Sequence, residues 1–141
     1  MSRRILVAFD GTAPARVALE RAAAIVGDGE LLLLHVLPEI VTDGLTPTDV
    51  AAEETAAEAA ELEAEQSRLA AAGIAVRALP IAGDAFADAA EAIVEQAAAE
   101  AATLIVIGTR GEGAFGRFAH GSVSTRVAHE ARCDVLIVRR S

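Results

Sequence analysis

A chain of 141 residues with a formal net charge of -9 and 12 basic residues, all arginine, is long enough to bury one core, and one domain is the expectation. With no lysine, it cannot build a Walker-type phosphate loop, a protein-kinase site, a pyridoxal Schiff base or a response-regulator receiver site. The acidic balance disfavours a nucleic acid polymer or an anionic membrane as partner, whereas a mononucleotide in a pocket responds mainly to dipoles and side chains within roughly 10 Å.

No apolar run approaches the roughly 20 residues of a membrane span, and Met1 to Arg4 leads into a strand-like segment and not a signal peptide. A cytoplasmic location without membrane insertion is expected. The single cysteine, Cys133, can form no internal disulfide, which agrees with a reducing compartment.

In chain order, Arg4 to Phe9 is an apolar run ending at Asp10-Gly11, as a buried parallel strand does. Thr12 reads as a helix N-cap with Pro14 in the first turn, and Val17, Ala18, Arg21, Ala22 and Ile25 carry the helical period to Gly27. Leu31 to Leu37 is a second strand, broken by Pro38, and residues 38–47 read as a loop. From about Thr48 to Ala72, alanine and glutamate dominate, with Val50, Leu62 and Leu69 as the few large apolar residues, so a helix with a charged outer face is expected. Ile74 to Ile81 gives a third strand, Asp84 to about Ala101 a third helix, and Leu104 to Ile107 a fourth strand. Ser122 to Ala131 gives a fourth helix and Val135 to Val138 a fifth strand. Strict β/α alternation with apolar strands predicts an α/β fold, a parallel sheet covered by helices on both faces.

Ligands of such sheets bind beyond the carboxyl ends of the strands. Polar and glycine-rich residues cluster there twice, at Asp10-Gly11-Thr12 and from Gly108 to Ser122. The second stretch holds five glycines, whose backbone amides can converge on an anion, and it delivers Gly121, Ser122 and Val123 to the start of a helix whose dipole favours phosphate. Ser122 and Ser124 add hydroxyl donors, and Arg110 or Arg117 offsets charge. A plain connection, with glycines that only serve turns and Ser122 only a cap, stays open on composition alone. Gly111 to Gly116 spells the dinucleotide fingerprint, but the helix begins several residues later and Asp134 precedes its strand, so the NAD reading is rejected.

The spacing Gly108-x-x-Gly111, nine residues, then Gly121-Ser122 resembles the nucleotide loop of the universal stress protein family. Matches at Ile5 to Thr12, Leu34-His35-Val36, Gly83 and Arg132 to Val138 extend the resemblance along the whole chain. It implies a three-layer α/β/α sandwich of the adenine nucleotide alpha hydrolase-like kind, with a five-stranded parallel sheet in the order 3-2-1-4-5. It also implies a cytoplasmic stress-response protein that binds ATP between strands 1 and 4, with Mg2+ carried by the nucleotide. Residue by residue, Asp10 would bond the ribose, with Ala8 beside it, and the main chain at Val36 would pair with the adenine edge. Gly108, Arg110, Gly111, Gly121, Ser122, Val123 and Ser124 would line the phosphates. A homodimer through the last strand is implied as well, because Val135 to Val138 would be an apolar edge needing cover. Asp134, Thr103 and Ala114 depart from the residues common in the family at those places.

His35 reads as a packed strand-end residue, and three isolated histidines without acidic or cysteine partners make no zinc site. Cys133 reads as an inert small hydrophobe. No set of nucleophile, base and orienting group can be assembled, so binding is favoured over turnover. A nucleotide-free dimeric interaction module and a weak ATPase are the alternatives.

Overall fold

The computed structural model describes residues 3–35, 47–79, 89–109 and 122–139, with the backbone alone for 47–58 and Ser122. Its elements are β1 (Arg4–Phe9), α1 (Ala13–Ile25), β2 (Glu30–His35), α2 (Pro47–Ala71), β3 (Ala75–Leu79), α3 (Ala89–Ala99), β4 (Leu104–Thr109), α4 (Ser122–Glu130) and β5 (Asp134–Arg139). All pairings are parallel and the strand order is β3-β2-β1-β4-β5, as expected. The expected loop over 38–47 falls, but for its last residue, outside the described residues, as do Ile81 and the start of the third expected helix.

Alternation along the strands assigns each side chain to one of two cores. Ile5, Val7, Phe9, Leu31 and Leu33 point to the face covered by α1 and α2, where they meet Ala15, Leu19, Leu62 and Leu69. Leu6, Ala8, Leu32, Leu34 and Ile105 point to the opposite face, where they meet Ile93 of α3 and Val127 of α4. The central strands β1 and β2 are buried on both faces, which is why they read as unbroken apolar runs. β5 lies at an edge, and Ile137 is 38% exposed on it.

Two helices differ in detail from expectation. The buried stripe of α1 is Pro14, Ala15, Ala18, Leu19 and Ala22, whereas Arg21 faces solvent and Val17 is only half-buried. Leu19 is the large side chain of that stripe, and it sets which face turns inward. In α2, Leu62 and Leu69 are buried, and its charges do more than face water. Glu61 and Glu65 bind Arg16 of α1 at 3.2 and 3.1 Å, and Arg68 binds Glu20 of α1 at 2.5 Å and Glu65 at 2.8 Å. These hydrogen-bonded carboxylates, Glu65 foremost, hold the Arg68 guanidinium even more firmly protonated than usual. Leu62 and Leu69 thus anchor α2 in the core, and ion pairs at the surface join it to α1.

Candidate functional site

Backbone pairing between β1 and β4 runs from Ile5–Leu104 to Val7–Val106 and stops there, although β1 continues to Phe9 and β4 to Thr109. The first turn of α1 stands at this parting. A Cβ on Gly108 would overlap the carbonyl of Pro14, so only glycine lets α1 approach β4 so closely. Gly108 was expected as a phosphate-lining residue. The structure adds a packing reason for the same glycine.

Asp10 follows the end of β1, and the chain turns at Gly11, whose φ of +80° is the left-handed conformation that glycine adopts without strain. Asp10 Oδ1 accepts from the Thr12 amide at 3.0 Å and from the Thr12 hydroxyl at 2.5 Å. This is a local Asx turn of the kind an aspartate makes with its own backbone two residues on. Thr12 does occupy the N-cap position, with extended backbone and its carbonyl accepting from Arg16 N at 3.1 Å. Its hydroxyl makes no cap bond, because it is committed to Asp10. Among the described residues, nothing bonds Asp10 Oδ2.

The Glu61 carboxylate of α2 rests against this turn. A Cβ on Gly11 would lie 2.8 Å from Glu61 Oε2. Arg16 holds Glu61 there while its own guanidinium lies over the Phe9 ring at 5.9 Å.

Parallel topology brings the N-terminus of α4 back to the same end of the sheet, since β4 leaves at its carboxyl end and β5 begins at its amino end. α1 and α4 both lack an acidic residue in the first turn, in a chain with 21 acidic residues. At α1, however, the Asp10 carboxylate already takes the Thr12 amide and Glu61 lies against Gly11, so the partial positive charge of free amides is left chiefly at the start of α4, as an anion site requires.

Of the residues expected to bind, Ala8, Asp10, Gly108, Val123, Ser124 and the backbone of Ser122 are described; Val36, Arg110, Gly111 and Gly121 lie outside the described residues. Ala8 faces the α3/α4 core, where Val123 packs half-buried, and Ser124 is buried. His35 is buried opposite Phe9, as a strand-end packing residue, and His129 is exposed in the last turn of α4. Among the described residues, no group of three or more His, Cys, Asp or Glu is placed to hold a metal ion. Cys133 is a half-buried free thiol packed against the α3/α4 core, and burial, helped by Asp134, pushes its pKa up.

The Thr12 clamp on Asp10 and the contact of Glu61 with Gly11 escaped sequence reasoning. The first had a local signal in Asp-Gly-Thr after a strand. The second joins residues 50 positions apart and had none.

The pattern of the universal stress protein family matches residues 1–139. A Thermus aquaticus relative, the universal stress protein in the QAH/OAS sulfhydrylase 3' region, is 34% identical over 99% of this chain and 100% of its own length. A crystal structure from the same family in Burkholderia pseudomallei superposes with a TM-score of 0.77 at 28% identity, covering 97% of this chain and 96% of that one. A universal stress protein in complex with cAMP superposes with a TM-score of 0.69 at 26% identity, covering 99% and 98% of the two chains. The chain belongs to the universal stress protein family.

Proposed function

We propose that this protein binds ATP in the crevice between the carboxyl ends of β1 and β4 and acts as a nucleotide-dependent regulatory protein of the cytoplasm. The observation that carries this reading is the parting of β1 and β4 beside an aspartate with one uncommitted carboxylate oxygen, at the end of the sheet where α4 starts with no acidic residue in its first turn. The similar protein bound to cAMP supports an adenine ring and ribose as the ligand class.

Asp10 Oδ2 would accept from the ribose, and the amides from Gly121 to Val123, with the Ser122 hydroxyl, would hold phosphate at the start of α4. Magnesium would arrive on the phosphates of the nucleotide. The role proposed is binding without turnover. The edge strand β5, with Ile137 exposed, is the proposed seat of a homodimer.

Calorimetric titration with ATP and magnesium, comparing the native chain with Gly121→Asp, tests the site. Binding that the new carboxylate weakens at least tenfold supports it. Absence of binding by the folded native chain turns the reading into a nucleotide-free interaction module. A chain mass of one by light scattering at micromolar concentration overturns the dimer.

A further inference from the structure

A carboxylate at the mouth of a crevice can turn about its last bond and offer either oxygen to a ligand. At Asp10 that freedom is removed, because the Thr12 amide and hydroxyl both donate to Oδ1, at 3.0 and 2.5 Å. The two donors sit on backbone that is itself held: the Thr12 carbonyl accepts from Arg16 N, and Pro14 fixes its own φ and restricts Ala13 before it. The hydroxyl serves Asp10 in place of capping α1, which is the usual use of threonine at this position. Oδ2 is left as the oxygen without a partner among the described residues.

We infer that Thr12 is a positioning residue for sugar recognition: by fixing Oδ1 it turns Oδ2 toward the ligand, so that the crevice selects ribonucleotides over their 2'-deoxy counterparts. The inference rests on the nucleotide-binding reading above. A fixed acceptor gains its full hydrogen bond only from a hydroxyl in the matching place, and an analogue lacking that hydroxyl leaves the acceptor unpaired. A carboxylate free to turn discriminates less, because it can drop the lost contact and bind water.

The test is a titration of ATP and 2'-deoxy-ATP, with magnesium, into the native full chain and into Thr12→Ser and Thr12→Val. The ratio of the two affinities is independent of how much of a variant is folded, so a weakened helix start cannot imitate the effect. The native chain should prefer ATP by about tenfold, the contribution of one hydrogen bond to a charged acceptor. Thr12→Ser, which keeps the hydroxyl, should retain that preference. Thr12→Val should reduce it to about twofold by weakening ATP and leaving 2'-deoxy-ATP unchanged. Equal affinities in the native chain, or a Thr12→Val variant that loses both nucleotides in parallel, overturns the inference while leaving nucleotide binding intact. No binding of either nucleotide to the native chain overturns the function reading, and this inference with it.

Discussion

At the amino ends of the strands, arginines close the molecule on itself. Arg3 donates to the Ile25 carbonyl at 2.8 Å and Arg4 to the Glu100 carbonyl at 2.9 Å, so cations meet the carbonyls where α1 and α3 end. Arg77 bonds Glu100 at 2.6 Å and lies 3.5 Å from Glu30, and Thr103 donates its hydroxyl and amide to the Arg4 carbonyl. At the carboxyl ends the chemistry is inverted. Helix starts present amides without nearby first-turn acids, and Asp10 keeps an oxygen in reserve. One end spends its polar groups on the fold; the other spends some, in the Asp10–Thr12 turn and the Arg16–Glu61 pair, but keeps Asp10 Oδ2 for a ligand.

The largest effect that sharpens this contrast is expected from Gly108→Val. The added side chain must displace the Pro14 backbone, lowering stability by about 2 kcal/mol or more in urea unfolding, and the crevice should be lost with it. Asp10→Ala should separate the two roles at the carboxyl end. ATP affinity is expected to fall about tenfold, while stability drops by only about 1 kcal/mol from the lost turn. An affinity unchanged by this variant would break the assignment of Asp10.

Glu100→Gln probes the amino end. The Arg77 hydrogen bond holds the Glu100 carboxyl below its usual range, so the folded state favours the ionised form. That contribution is complete above the ordinary carboxylate pKa and is lost as pH falls through the lowered folded value. Acid unfolding should therefore be shallower in Glu100→Gln than in the native chain, with ATP affinity unaltered at neutral pH. The smallest effect concerns Cys133, just before β5. With its thiol held protonated by burial and Asp134, alkylation by iodoacetamide at neutral pH should be slower than for a small thiol and should accelerate as pH rises. Equal rates at neutral pH would show the thiol to be unperturbed.

The sheet was legible because β1 and β2 are buried on both faces and their apolar runs, from Ile5 and Leu31, have no polar interruption. The strand order came from resemblance and not from periodicity, which is blind to which strands pair. In α1 the period was visible, with Ala18 and Ala22 in the core and Val17 and Ile25 packed against it, but Arg21 is exposed and Leu19, which the pattern left out, is buried. Asp10 and Gly108 stood out by position. That Gly108 must admit Pro14, and that α2 is tethered through Glu61 and Glu65 to Arg16, depends on contacts between distant residues that no local pattern records.

The most direct test of the central claim is the map of backbone amide shifts in nuclear magnetic resonance as ATP and magnesium are added. Shifts concentrated at residues 10–13, at Gly108 and Thr109, and at 122–124, with Arg3, Arg77 and Glu100 unmoved, are the predicted result. Shifts centred on the amino ends, or none at saturating nucleotide, would contradict the account.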